Sequence, residues 1–456
     1  KLAPTHDLAY YHIGNILQEN KYLNKSIFCY TKGLQKQPQS PWLCYGMGSV
    51  LAEYGAFKDA VKFLKKSIKL DGEQAEFDEK LGDVLAFLGK YYQGIALYDK
   101  AQKYNLQHEI INLKLCKTYL QLGDFSKAQS LLEKQADFNS QNTEAKLYSD
   151  FLEVVNTLTQ EISEKIIQNP LQFLQLIDTS IHTSPRLSLS QILNLVKLYE
   201  SLYPQSDLNI DKLSRFHHCV SNLSLPGHSY VDILTHLHQA LKPKTYVEVG
   251  IARGTSFQLV QPSTQCIGID PQPNISELAP VNSTIFPMTS SNFFRSHNLT
   301  QELQGNPVDL AFIDGLHWFD QALQDFIEIE KHSHRNGLIL FHDTLPLDEI
   351  TARRDRATQF WSGDVWKVVP ILKTYRPDLK IFTIATKPTG LTCVTNLNST
   401  SKTLIQFYSE IIEEYLNKPY PQNPDLRSAM LSVIPNNWKI ISAQLKSQKK
   451  KSYSKI

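Results

Sequence analysis

A 34-residue self-similarity in the first third limits what this chain can fold into more than any other feature. Gly14, Gly48 and Gly82 stand 34 residues apart, and Cys116 is next in the series. Ser26, Ala60, Gly94 and Ala128 keep the same interval. So do Tyr30, Leu64, Tyr98 and Leu132, and then Gly33, Ser67, Ala101 and Gln135. Several columns in one register predict a helical hairpin repeated four times. Small residues would sit where two helices approach closely, with aromatic and leucine side chains filling the gaps. Gly55, Gly89 and Gly123 each follow a first-column position by seven residues, where the first helix of a hairpin must turn. Pro38 marks the end of the first unit, because proline cannot continue a helix.

The period and the small–small–aromatic–small order resemble the tetratricopeptide (TPR) repeat family over roughly residues 7–140. The resemblance implies a solenoid, and a groove that in this family usually takes peptides or proteins. The other reading is an array that only stiffens or dimerises the molecule. Residues 141–225 are expected to form a helical connector capping the array. Leu147, Phe151, Leu152 and Val155 show helical spacing, as do Leu171, Leu174 and Ile177. Pro170, Pro185 and Pro204 break this stretch, and the boundary with the next domain is expected within 204–227.

Bulk composition narrows the function classes. A chain of 456 residues is too long for a single core. Lys and Arg (47) nearly cancel Asp and Glu (45), so nothing demands a nucleic-acid partner. The basic tail, residues 446–456, reads as a solvated terminus. The six cysteines, Cys29, Cys44, Cys116, Cys219, Cys266 and Cys393, contain no C-x-x-C pair. That pattern favours reduced thiols in a cytoplasmic setting over a disulfide framework or a zinc site. No apolar run is long enough to span a bilayer. The first residue is Lys1 rather than Met, which leaves an upstream segment open, and what is present carries no signal-peptide pattern.

From 226 to 445 the pattern becomes α/β. Strands are expected at Thr245–Val249, Gln265–Ile269, Val308–Ile313, Gly337–Phe341, Lys380–Ala385 and Leu391–Thr395. Helical runs such as Ser256–Val260 and Trp318–His332 lie between them. Continuous apolar strands with crossover helices predict a mostly parallel, Rossmann-like sheet, with ligands at the carboxyl ends of its strands. The first strand runs into Glu248-Val249-Gly250-Ile251-Ala252-Arg253-Gly254-Thr255-Ser256. Gly250 permits a tight turn and close backbone approach. Gly254 lets the next helix pack near the strand, and Thr255 and Ser256 would open that helix toward the ligand. An acidic residue followed by G-x-x-x-G favours S-adenosylmethionine over a dinucleotide. Asp270, at the end of the second strand, can accept both ribose hydroxyls of a nucleoside. Its competing role is a turn aspartate before Pro271.

Two further strand ends deliver Asp314-Gly315-Leu316-His317 and His342-Asp343. On neighbouring parallel strands, Asp314 and Asp343 would lie side by side and repel unless a cation or proton sits between them. Oxygen ligands suit a hard ion such as Mg²⁺. His317 would lean over the same place, and imidazole is a natural base for a hydroxyl proton.

The string Phe312-Ile313-Asp314-Gly315-Leu316-His317, then Asp325, then Gly337-Leu338-Ile339-Leu340-Phe341-His342-Asp343-Thr344, resembles the macrocin O-methyltransferase and cephalosporin-hydroxylase-like group of class I S-adenosylmethionine methyltransferases. Phe360-Trp361-Ser362-Gly363-Asp364-Val365-Trp366-Lys367 fits the same group. The resemblance, over about residues 228–400, implies cofactor contacts at Glu248, Gly250, Gly254 and Asp270, with Ser256 and Asp314 completing the candidate set. It implies a divalent metal at Asp314 and Asp343 with His342 as candidate third ligand, and His317 as general base. Some metal-dependent relatives have Glu-Asp where this chain has His342-Asp343, which leaves the third ligand and the metal open. Arg335-Asn336-Gly337 stands where a double glycine is common, as a turn before the strand.

The expectation is therefore a metal-assisted O-methyltransferase acting on a sugar or natural-product hydroxyl, with a peptide or protein partner for the repeats. Arg353, Arg354 and Arg356, with Trp361 and Trp366, would form a lid or substrate wall, or else a charged loop beside a buried aromatic pair. The rival functions are a protein or nitrogen methyltransferase recruited through the repeats, and a scaffold with an inactive domain. A nicotinamide oxidoreductase is disfavoured by the glycine spacing.

Overall fold

The computed structural model describes residues 7–104, 108–134, 142–168, 210–275, 279–356 and 359–449. The chain divides into two compact units, Lys1–Ser224 and Leu225–Ile456. Among the described residues the first is helical. Its eight leading helices are α1 (Asp7–Glu19), α2 (Leu23–Lys36), α3 (Pro41–Tyr54), α4 (Phe57–Leu70), α5 (Ala75–Phe87), α6 (Tyr91–Tyr104), α7 (His108–Leu122) and α8 (Phe125–Glu133).

The repeating columns prove to be one packing contact made over and over. A Cβ on Gly48 would lie 2.6 Å from Leu64 Cγ, and one on Gly82 would lie 2.7 Å from the Tyr98 ring. Gly14 stands against Tyr30 in the same way. Within each of the first three hairpins the first helix must offer hydrogen where the second helix inserts a large side chain. Ser26, in the next small column, donates its hydroxyl to Gly14 O at 2.8 Å. Gly55, Gly89 and Gly123 sit at φ of 91°, 74° and 73°, the left-handed geometry that ends a helix at low cost in glycine. Ser40 caps α3 by accepting from Leu43 N, with Pro41 at the first helical position.

After the array, Thr143–Gln168 packs against α7, α8 and the helix Ile210–Ser224. Phe151 stacks on Phe216 at 5.4 Å and meets Phe125 edge-on at 6.0 Å. Tyr148, Phe151 and Phe216 have no solvent exposure, so these helices cover the apolar face of the last hairpin. The expected helical spacing at Leu171, Leu174 and Ile177, the breaks at Pro170, Pro185 and Pro204, and residues 204–209 of the expected boundary lie outside the described residues, as does the tail beyond 449.

The second unit is built on an eight-stranded sheet in the order β3-β2-β1-β4-β5-β7-β6-β8. The strands are β1 (Thr245–Val249), β2 (Gln265–Ile269), β3 (Ser283–Phe286), β4 (Val308–Ile313), β5 (Ser333–His342), β6 (Lys380–Ile384), β7 (Leu391–Thr395) and β8 (Val433–Ile434). All neighbours are parallel except β7, which runs antiparallel to β5 and β6. β1 and β7 are buried along their whole length. The core includes Val247, Ile267, Ala311, Ile339 and Val394 of the sheet, and Phe319, Leu323, Phe326 and Ile371 of the covering helices. This is an all-α repeat array followed by a Rossmann-like sheet unit.

Two local expectations are corrected. Ser256–Val260 is not a helix. It holds a single 3₁₀ turn, Phe257–Leu259, because Val260 is already extended and Pro262 blocks propagation. Arg335-Asn336-Gly337 is not a turn before β5 but an irregularity within it, where the pairing with β4 shifts register between Val308 and Leu310. The third strand went unforeseen because Ser283–Phe286 is four residues long, half-buried and without alternation.

Candidate active site

The candidate site gathers at the carboxyl ends of β1, β2, β4 and β5. After β1 the backbone turns left-handed at Gly250 (φ 87°), Ala252 (φ 42°) and Gly254 (φ 76°). A Cβ on Gly250 would overlap the carbonyl oxygen of Asp314, and Asp314 N donates to Val249 O at 2.8 Å. The glycine loop and the tip of β4 are therefore in backbone contact, with no room for a side chain. Ala252 lacks glycine's freedom. Its strained φ is offset by its own N–H, which donates to Asp270 Oδ2 at 2.8 Å.

Asp270 ends β2 nearly buried, with 8% exposure. Its other oxygen accepts from Gln272 N at 2.7 Å. The ribose and turn roles are thus compatible: two backbone N–H groups fix the carboxylate at the strand tip, and each oxygen keeps a lone pair. Glu248 and Ser256 are placed otherwise than the sequence suggested. Glu248 has no exposure. Its oxygens accept from Tyr246 Oη at 2.6 Å and Ser256 Oγ at 2.5 Å. The two candidate contacts bind each other beneath the loop. Burial pushes the Glu248 carboxyl up to about 8, against the two hydroxyls that lower it.

At the tips of β4 and β5, Asp314, His317 and Asp343 offer ligand atoms that all lie within 4.8 Å of one another. His317 Nε2 is 3.2 Å from Asp343 Oδ2 and 3.9 Å from Asp314 Oδ1. His342 Nδ1 lies 3.1 Å from both Asp314 Oδ1 and Asp343 Oδ2. Its Nε2 is buried with no hydrogen-bond partner. Asp343 adopts φ 58°, accepts from the Thr389 hydroxyl, and is 4% exposed. Burial alone would lower the basicity of His342, but Asp314 and Asp343 pull it well above the ordinary histidine value. Burial would raise Asp343, but the charges of His342 and His317 and the Thr389 bond hold it down to about 2.

The tautomer of His317 follows from its other nitrogen. Nδ1 stands 3.1 Å from the carbonyl oxygen of Trp361, which can only accept, so Nδ1 carries the proton. Nε2 faces Asp343 Oδ2 and Asp314 Oδ1, donating when the ring is protonated and presenting a lone pair when it is neutral, in which case a cation or proton is needed in the cluster.

The loop after β5 builds one wall. Trp361 stacks on His317 with ring centroids 5.1 Å apart and donates Nε1–H to Arg353 O at 2.7 Å. Gly363 (φ 61°) presses against the His317 carbonyl, and Asp364 N donates to that oxygen at 3.1 Å. Arg354 lies over Trp318 at 4.6 Å and binds Asp320 with both guanidinium nitrogens, at 2.9 and 3.0 Å. Trp366 belongs elsewhere: at 1% exposure it packs with Ala352, Val369, Tyr420 and Leu431. Of the two tryptophans, Trp361 reaches the site and Trp366 is core.

Two residues near the cluster were not legible. Tyr230 lays its ring on His342 at 4.3 Å. Burial raises its hydroxyl pKa, and Asp314, Glu248 and Asp343 add to the rise. Its helix, Tyr230–Leu241, begins with a capping box of Ser229 and Asp232, so S-x-x-D marked the helix start but not its role. Thr389 sat only in a Pro-Thr-Gly turn signal.

Residues 247–344 match the family model described as a methyltransferase domain, and residues 8–39 match a tetratricopeptide repeat. The chain thus joins a methyltransferase domain to a repeat array. No curated protein matches. Among solved structures, the MamA structure is 22% identical, spanning 36% of this chain and 95% of that one, with a TM-score of 0.30. YrrB, described as a TPR protein with an unusual peptide-binding site, is 16% identical, spanning 38% and 92%, with a TM-score of 0.30. The first TPR domain of human RPAP3 is 21% identical, spanning 28% and 99%, with a TM-score of 0.26. No helix among the described residues is long and apolar enough to cross a membrane.

Proposed function

We propose that the sheet unit transfers the methyl group of S-adenosylmethionine to a hydroxyl of a sugar or natural-product-like acceptor, assisted by a divalent cation. The observation that carries this reading is the convergence of Asp314, His317, His342 and Asp343 beside the glycine loop. Gly250 and Gly254 provide the close backbone, and Asp270 the ribose acceptor, with Glu248 and Ser256 bracing the loop from below. Asp314, Asp343 and His342 would hold the cation. When bound, the cofactor supplies an electrophilic methyl and the cation a positive charge beside the acceptor oxygen. His317, its Nδ1–H tied to Trp361, receives the hydroxyl proton on Nε2. Trp361 holds the imidazole plane and closes one side. Fixing both reactants over one strand edge supplies much of the rate.

The array offers a peptide or protein partner a set of half-buried aromatic rings from successive hairpins: Tyr11 and Trp42 at 5.4 Å, and Trp42 and Tyr45 at 5.9 Å. This favours, as a second reading, a polypeptide acceptor delivered through the repeats. Labelled S-adenosylmethionine tests both. Calorimetry should show binding, and His317→Ala should keep that binding while transfer falls by roughly 10²–10⁴-fold. Transfer to polypeptide nitrogen in excess chelator would replace the hydroxyl reading with the second one. No cofactor binding by the intact chain would leave a scaffold.

A further inference from the structure

Resting on the cation-assisted reading above, we infer that the ion held between the tips of β4 and β5 is a first-row transition metal with an imidazole ligand, and not Mg²⁺. The donor set decides this. Mg²⁺ demands oxygen ligands in near-ideal octahedral array, whereas imidazole nitrogen suits Fe, Ni, Cu and Zn. Between Asp314 and Asp343 the chain places His342 Nδ1, 3.1 Å from an oxygen of each. Neighbouring ligand atoms around an ion with bonds of about 2.0–2.2 Å stand about 3.0–3.4 Å apart, which matches the spacing of His342 Nδ1 from each carboxylate.

A second, independent observation concerns the far side of the same ring. His342 is 7% exposed, and its Nε2 has no acceptor. With no acceptor at Nε2, Nδ1 is the ring nitrogen that serves the two carboxylates, donating a proton to them when no ion is bound and its lone pair to the ion when one is. The ring is held in that aim by Tyr230 at 4.3 Å and Phe312 at 6.1 Å. His317 Nε2, 3.2 Å from Asp343, stays beside this set as the base.

The test is metal binding by the tag-free, full-length protein after chelator treatment, read without any turnover. Co²⁺ should bind at one equivalent and give a visible ligand-field band, and Mg²⁺ should bind at least roughly 100-fold more weakly in competition. Asp314→Asn should abolish both. His342→Gln offers an amide oxygen in place of nitrogen, and should shift the Co²⁺ band and narrow the preference to less than about tenfold. His342→Glu, which offers a hard carboxylate, should move it further toward Mg²⁺. The far-UV melting midpoint of each variant shows that the fold is kept. Mg²⁺ binding as tightly as Co²⁺, or a Co²⁺ band unmoved by both His342 variants, overturns this inference and leaves the cation-assisted reading in place. One-equivalent binding by neither ion overturns both, with His342 then serving as the cluster's own cation.

Discussion

Gly48 and Gly250 are both glycines forced by close approach, and they differ in what approaches them. Gly48 faces the side chain of Leu64, in the second helix of its own hairpin. Gly250 faces backbone, the carbonyl of Asp314 at the end of a different strand, and does so at φ 87°. In the array each contact is local and repeats, so neighbours can yield by a rotamer. In the sheet unit a contact between distant segments sets where two strand tips meet, and nothing there can yield. A solenoid spreads its stability over interchangeable units, while an α/β site concentrates it at a few backbone approaches.

The largest effect should come from Gly250→Ala. Overlap with backbone at a left-handed φ should cost about 3 kcal/mol or more and abolish S-adenosylmethionine binding by calorimetry. Wild-type binding by this variant would break the comparison. Next, Asp270→Ala should weaken cofactor binding by about 10–100-fold, equivalent to about 1.4–2.8 kcal/mol. A smaller loss would assign Asp270 to the turn alone. Gly48→Ala should cost about 1–3 kcal/mol by overpacking. Leu64→Ala in the same chain should recover part of that, as a double-mutant cycle would show. No recovery would mean that the array is as rigid as the sheet unit at this point.

Asp325 sharpens the contrast through pH. Burial pushes its carboxyl up to about 7 from an ordinary 3.8, against bonds from Ser290 and Gln321 that lower it, while Glu328 adds to the rise. The folded state therefore binds this proton more tightly than the unfolded state, and ionisation costs stability. That cost grows as pH rises from about 4 to about 7 and is constant above. Asp325→Asn should melt higher than the parent by an increment on the order of 1–3 kcal/mol at pH 8, shrinking toward pH 4. A gap independent of pH would contradict the shift. The smallest effect belongs to Gly89→Ala, where φ is 74° and nothing lies within 4 Å of an added Cβ. A loss of about 1 kcal/mol is expected from backbone strain alone.

The array was legible because its contacts are short-range and repeat: the columns Gly14–Gly48–Gly82 and Tyr30–Leu64–Tyr98 are the packing itself. The strands that deliver Gly250, Asp270, Asp314 and Asp343 were legible as continuous apolar runs ending in chemistry-bearing residues. The site's interior was not. Nothing in Glu248 or Ser256 announced that they would bond to each other, and the helix expected after Gly254 collapsed to one turn. Tyr230 reaches the cluster from the helix before β1, and Thr389 from the turn before β7.

The residues alone therefore determined the repeat period, the positions of the sheet's main strands and which side chains carry reactive groups, since these depend on spacing along the chain. Only the tertiary structure decided which of those groups touch. It turned Glu248 inward, set His342 between two carboxylates, and laid Trp361 rather than Trp366 against His317. Those choices rest on packing between segments far apart in sequence, where a small difference in register or rotamer changes a partner and leaves no trace in local pattern.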